Sequence, residues 1–241
     1  MEAHPRLRSE DVTDGHPLLL ATAGTGVVDI WLLDTTADAT SIENHSGVLT
    51  EAEGLRAQQL RHPEDRKTFM ITHTALRLLL GRYLSRAPET LALIHNSRGK
   101  PRLPGNPLHF SLSRRRGRAA IAIAETAVGI DLENVPPSHL VADALRWLHP
   151  LDRRDVLAQP LSEQASLFTT YWTRLEAFSK VTGHGLDPEI RSVRVGSVNR
   201  LRRGALDIHI KDFAVGPDFR GALAVAPETE KPFLRDRTYG L

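Results

Sequence analysis

The pattern His62-Pro63-x-Asp65-Arg66 returns as His149-Pro150-x-Asp152-Arg153, and this echo constrains the fold more than any other feature. Each copy is followed by a long stretch of helical apolar spacing that contains or ends at a glycine, Gly81 in the first and Gly183 in the second. The strand-like segments ahead of them also match loosely, Val28-Asp29-Ile30-Trp31 against Ile130-Asp131-Leu132-Glu133. A chain that repeats itself on this scale is expected to fold as two similar units. The predicted architecture is therefore α+β, a pseudo-dimer of two similar α+β halves, residues 1–126 and 127–241, with the active site in the cleft between them. The 241 residues, 41% of them hydrophobic, are enough for a sizeable core.

Local pattern fills in the halves. Gly26 to Thr35 is β-branched and apolar and predicts a strand. From Pro63 to Leu84, apolar residues recur at helical spacing, with Pro63 suited to a first turn and Glu64 and Asp65 placed where a helix N-terminus favours negative charge. Arg98 to Pro101 reads as a turn, and Leu108 to Leu112 and Ala119 to Ala124 as paired strands across a basic turn, Arg114 to Arg118. Ala127 to Glu133 is another strand. A helical block opens near His149-Pro150, breaks at Pro160 and runs from Glu163 to Val181, stopping at Gly183. Val193 to Val198, Leu206 to Ile210 and Ala222 to Ala226 predict a small closing sheet.

Composition removes several chemistries. No cysteine is present, which excludes disulfides, thiolate nucleophiles, thiolate zinc sites and iron–sulfur clusters. The first 14 residues hold no apolar stretch like a signal-peptide core, and the apolar runs fall short of the ~20 residues that cross a bilayer, so a cytoplasmic protein is expected. The net charge of +2 hides a cluster, Arg114, Arg115, Arg116 and Arg118. That cluster suits either a phosphate or acidic partner or a solvated turn. No aromatic interleaving accompanies it, so nucleic acid is not expected. His73, His184 and His209 lack metal spacing and read as surface or packing residues, and Trp31, Trp147 and Trp172 as core aromatics.

The residues left for chemistry are carboxylates, lysines, arginines and hydroxyls. In Gly129-Ile130-Asp131-Leu132-Glu133, strand alternation sets Asp131 and Glu133 on one face and Ile130 and Leu132 on the other. The two acids are either a solvated edge or oxygen ligands for Mg²⁺. Glu176 and Lys180 stand four apart on one helix, either a surface ion pair or a third carboxylate beside a phosphate-binding cation. Lys100, Ser113 and Arg114 add cationic and hydroxyl groups of the kind that hold phosphates.

The ordered elements Gly99-Lys100-Pro101, Phe110 to Arg114 (FSLSR), Gly129 to Glu133 (GIDLE) and Trp172 to Lys180 (WTRLEAFSK) resemble the surfactin-type 4′-phosphopantetheinyl transferases. The family's two similar α+β halves agree with the echo. The resemblance implies a holo-[acyl-carrier-protein] synthase type reaction, in which phosphopantetheine passes from coenzyme A to a serine of an apo acyl or peptidyl carrier protein, with Mg²⁺, releasing 3′,5′-ADP. By resemblance, Asp131, Glu133 and Glu176 are the metal carboxylates, Glu176 is also the base, and Lys180 neutralises the leaving pyrophosphate. Lys100 is the lysine of the GKP motif and Ser113 a phosphate-binding serine, so that Lys100, Ser113, Arg114 and Lys180 form the coenzyme A contacts. The carrier surface is implied between Val135 and Phe168, where Arg146, Arg153 and Arg154 could meet an acidic helix. A monomer would suffice.

Two positions depart from the family. Arg114 stands where the family has a histidine for the 3′-phosphate of coenzyme A, and Leu175 where it has a lysine just before the metal glutamate. Arg174 points about 100° away around the helix and does not replace that lysine. These departures motivate the competing reading, a degenerate relative that binds coenzyme A or a carrier without turnover.

Overall fold

The computed structural model describes residues 18–21, 27–36, 47–96, 99–105, 108–183, 185–186, 188–196, 199–203 and 206–226. The order is β1 (Leu18–Ala21), β2 (Val27–Asp34), α1 (Glu51–Gln58), α2 (Pro63–Leu84), β3 (Ile94–His95), β4 (Pro101–Arg102), β5 (His109–Arg115), β6 (Arg118–Ala124), β7 (Val128–Asn134), α3 (Val141–Ala144), α4 (Pro150–Leu157), α5 (Leu161–Thr182), β8 (Arg200–Arg203), β9 (Leu206–Ala214) and β10 (Phe219–Val225), with single 3₁₀ turns between. The strands form two antiparallel four-stranded sheets, in the orders β1-β2-β6-β5 and β7-β10-β9-β8, and a small β3-β4 ribbon.

Alternation along each strand sorts its residues between layers. In β6, Ile121 and Ile123 face α2 and pack with Leu76, Leu80 and Phe110, while Ala120, Ala122 and Ala124 face the second sheet. Opposite those small residues stand Val128, Ile130 and Leu132 of β7 and Leu223 and Val225 of β10. Small side chains on one sheet and large ones on the other let the layers interdigitate closely. The outer face of the second sheet carries Ala222, Ala224, Ile208 and Ile210 against Leu175 and Phe178 of α5. The result is helix, sheet, sheet, helix, in four layers.

Each sheet is thus backed by a helix of 22 residues, α2 or α5. The sequence echo is out of step with this correspondence. His62-Pro63 opens the long helix α2, but His149-Pro150 opens the short α4, and α5 starts only after Pro160. Proline at the first helical position marks any helix start, and the two histidines differ: His149 Nδ1 accepts from the Leu151 amide at 3.2 Å, whereas His62 makes no such cap.

Two other expectations change. The basic turn is shorter than its charges suggested: Arg114 and Arg115 belong to β5, and only Arg116 and Gly117, the latter at φ +87°, make the turn. Val193 to Val195 is not a strand, and residues 197–198 lie outside the described residues. The fully buried carboxylate of Asp152 accepts from the amides of Val195 (2.7 Å) and Gly196 (3.1 Å), and Arg174 donates to both their carbonyls at 2.8 Å. Side chains there do the work of a strand ladder. Among the described residues, no helix is long and apolar enough to cross a membrane.

Candidate active site

The two sheets meet along one edge each, β5 and β7, and among the described residues no backbone ladder joins them. The junction is made by side chains. Ser111 Oγ accepts from the Ile130 amide (3.1 Å), and Ser113 Oγ shares its one proton between Asp131 Oδ1 (2.9 Å) and the more distant Leu132 O (3.4 Å). Lys180 Nζ, arriving from α5, donates to Ile130 O (2.8 Å), Leu112 O (3.4 Å) and Asp131 Oδ1 (2.7 Å). Lys100 Nζ, from the turn before β4, donates to Val128 O (3.1 Å) and Lys180 O (2.6 Å). The carbonyls of Val128, Ile130 and Leu132 alternate along β7 and face away from its partner β10. Each is capped by a different side chain.

β7 turns Asp131 toward α5 by the same alternation. Asp131 is 3% exposed, and its Oδ2 is buried with no hydrogen-bond partner among the described residues, while Oδ1 holds Lys180 and Ser113. Glu176 stands one helical turn before Lys180. Burial, and then the charge of Asp131, push its carboxyl up to about 7, with Glu133 adding to the rise. Glu133 is also pushed up, chiefly by burial, although Arg115 grips it with two donors. The three expected carboxylates share one patch of field. Among the described residues they do not form a finished cation cage, and Glu133 is paired with Arg115.

A cavity of about 890 Å³ opens beside this patch, and its lining includes Glu176, Ser179 and Lys180 of α5 as well as Arg56, His73 and Arg114. Its size suits a large ligand. One wall is built on α2, where Phe69, His73 and Arg77 recur every four residues and share a face. Phe69 stacks on His73 with ring centroids 3.9 Å apart, and the Arg114 guanidinium lies 4.8 Å over the Phe69 ring. Burial and then the charges of Arg56 and Arg115 lower the Arg114 pKa, with Asp65 pulling the other way. Behind them, Glu53 Oε2 accepts from Arg77 Nε (2.7 Å) and Glu53 Oε1 meets His73 Nδ1 (3.2 Å).

Among the expected site residues, Asp131, Ser113, Lys180 and Lys100 come into direct contact, Glu176 and Glu133 sit beside them, and Arg114 lines the same cavity over the Phe69 ring. The Ser113 hydroxyl and the Lys100 ammonium are turned to protein acceptors. Leu175 is fully buried within the α5 core, so it is a packing residue and not an emptied cation position. Arg174 is committed to Asp212 and the 195–196 carbonyls. His73 is a wall of the cavity and not surface, and His184 lies outside the described residues. Trp31 and Trp172 are half-buried and pack against the two helix-backed cores, and Trp147 and Trp172 also line a second cavity of about 360 Å³ beside Arg115 and Glu133. Glu53, Phe69, His73, Arg77 and Arg115 were missed as site residues. The Thr50-x-x-Glu53 capping signature and the four-residue spacing on α2 carried the signal.

The sequence pattern of the 4′-phosphopantetheinyl transferase superfamily matches residues 127–223. The chain is 32% identical over 165 residues to the 4′-phosphopantetheinyl transferase HetI of Nostoc sp., covering 66% of this chain and 70% of that protein. It is 36% identical over 134 residues to the L-aminoadipate-semialdehyde dehydrogenase-phosphopantetheinyl transferase of Eremothecium gossypii, covering 50% of this chain and 46% of that one. It is 29% identical over 131 residues to the 4′-phosphopantetheinyl transferase psf-1 of Bacillus pumilus, covering 54% of this chain and 56% of that one. Two thirds of the chain does not fit within residues 127–241, so the likeness to HetI continues into the residues that build the first sheet. A relationship running through both sheets at this identity settles the descent of the chain, which belongs to the 4′-phosphopantetheinyl transferase superfamily.

Proposed function

We propose that the protein transfers 4′-phosphopantetheine from coenzyme A to a serine of an apo carrier protein and releases 3′,5′-ADP. The observation that carries this reading is Asp131, a buried carboxylate with one oxygen bound to Lys180 and the other without a partner among the described residues, beside a Glu176 pushed up to about 7. An orphaned buried oxygen among acids is a donor set for a hard cation, and oxygen-only ligands suit Mg²⁺. Asp131, Glu133 and Glu176 would hold it, Glu133 being the ligand with a competing partner in Arg115. Mg²⁺ when bound would neutralise charge on the pyrophosphate.

The chain's own residues supply the rest. The incoming serine oxygen bonds to the β-phosphorus as the bond to the oxygen of 3′,5′-ADP breaks. The serine proton goes to Glu176, the carboxylate that lines the cavity beside Lys180. Lys180 offers positive charge to the leaving phosphate from a position fixed by Ile130 O and Asp131. Arg114, braced on Phe69, gives the cavity a guanidinium for a further phosphate.

We assign the enzyme to the surfactin type, with halves at 1–126 and 127–241. Two four-stranded sheets, each backed by a 22-residue helix, support that division. The cavity is lined by one chain, which supports function as a monomer. The exposed Arg146, Arg153 and Arg154 support docking of an acidic carrier on that side of the second sheet. The test is to mix the protein with coenzyme A, Mg²⁺ and apo carrier proteins and weigh the carriers. A gain of one phosphopantetheine mass is expected; coenzyme A binding with no gain on any carrier would overturn catalysis in favour of a binding protein.

A further inference from the structure

Lys100 is an expected phosphate ligand whose ammonium is turned to two backbone carbonyls of the other half. It follows Gly99, at φ +80°, in a turn closed by Asn96: the Asn96 amide donates to Lys100 O (3.0 Å) and Asn96 Oδ1 accepts from the Lys100 amide (2.9 Å). This turn belongs to the first half. Its lysine crosses to the second, where Nζ bonds Lys180 O at 2.6 Å and Val128 O at 3.1 Å.

Among the described residues, neither carbonyl is bonded within its own element. Val128 O faces away from β10, and Lys180 O lies in the last turn of α5, where helix carbonyls lack intrahelical donors. A cation there also meets the negative end of the helix dipole. Two of the three ammonium donors are thereby used, and swinging the side chain toward a ligand would bare two carbonyls at once. Burial, and then the charge of Lys180, lower the Lys100 pKa to about 8.

Lys180 is consequently gripped at both ends. Its carbonyl is held by Lys100, and its ammonium by Ile130 O, Leu112 O and Asp131. We propose that Lys100 is a positioning residue: it pins the last turn of α5 to the edge of β7 and so sets Lys180, Glu176 and Asp131 in register for phosphoryl transfer, without itself binding the donor's phosphates. This inference rests on the transferase reading above.

Lys100→Met tests it through three measurements: kcat with a saturating apo carrier, coenzyme A affinity by calorimetry, and amide exchange by mass spectrometry in the free protein. We expect kcat to fall roughly 10- to 100-fold, as for a displaced catalytic group, with coenzyme A affinity held within about twofold. Exchange should quicken at the last turn of α5 and stay unchanged in α2. A coenzyme A affinity weakened tenfold or more with kcat retained would make Lys100 a phosphate ligand and overturn the proposal. Unchanged kcat with unchanged exchange would overturn it too. If Lys100→Met does not fold, Lys100→Gln, whose amide can reach one of the two carbonyls, takes its place; it should show a smaller fall in kcat of the same kind, and a Gln variant weakened in coenzyme A affinity alone would overturn the proposal. A wild-type protein without transfer would sink the transferase reading alone, because the exchange measurement decides the positioning role independently.

Discussion

Gly129 and Ala177 meet backbone to backbone. A side-chain carbon on Gly129 would fall inside contact distance of Ala177 O, 2.8 Å from Val181 N and 3.0 Å from Lys180 Cβ. The glycine that opens GIDLE is what allows α5 to lie close enough to β7 for Lys180 to reach Asp131. Gly129→Ala forces the helix outward, and overpacking against backbone should cost about 3 kcal/mol or more. In a domain of this size that lowers Tm by about 6 to 12 °C. Calorimetry checks it, and a wild-type melting curve would show that α5 has slack.

Asp131→Asn keeps the shape and removes the charge. Transfer should fall at least about a hundredfold, since the charge faces both Lys180 and the proposed cation site, with circular dichroism unchanged. Carrier mass gain against time is the measurement, and transfer at the parental rate would remove Asp131 from the metal assignment.

Leu175→Lys does not restore a phosphate cation. Leu175 is fully buried among the α5 packing residues, so the ammonium would be forced into the core. The expected result is a loss of about 3 kcal/mol or more in urea unfolding. Tighter coenzyme A binding at an unchanged urea midpoint would contradict this and revive the idea of a missing cation.

Glu53 gives the fold an acid-sensitive point. Burial alone would raise its carboxyl, but hydrogen bonds from His73, the Thr50 amide and hydroxyl, and Arg77 outweigh that and hold it down at about 2, against 4.5. A carboxyl whose pKa is depressed by folding stabilises the native state above the unfolded value, and that contribution disappears as pH falls through the folded value. A fall of this size corresponds to about 3 kcal/mol. Glu53→Gln should therefore be destabilised at pH 7, and its deficit against the parent should shrink between pH 4.5 and pH 2. Urea midpoints across that range read it out, and a deficit independent of pH would contradict the sign.

Much of the framework was open to reading because it is local. Pro63, Glu64 and Asp65 mark the start of α2, Gly183 marks the end of α5, and the alternation in GIDLE turns Asp131 and Glu133 to one side. What escaped was tertiary. Leu175 differs from a lysine by one residue letter, and only the packing of α5 says that its side chain points inward. The charges of Arg114 and Arg115 looked like one basic turn, yet strand alternation sends one to Phe69 and the other to Glu133. Ser113 and Lys100 were read by residue type as phosphate binders, and their protein acceptors come from elements 18 and 80 residues away along the chain.

The capped edge of β7 has a consequence for handling the protein. An unpaired strand edge is a template for association with other chains, and here β5 and β7 each shelter the other through Ser111, Ser113, Lys100 and Lys180. Separating the halves by proteolysis or by split expression would lay bare two sticky edges at once. The chemistry and the colloidal behaviour of this protein thus depend on the same few atoms, and variants that damage the first should be screened for aggregates before their rates are compared.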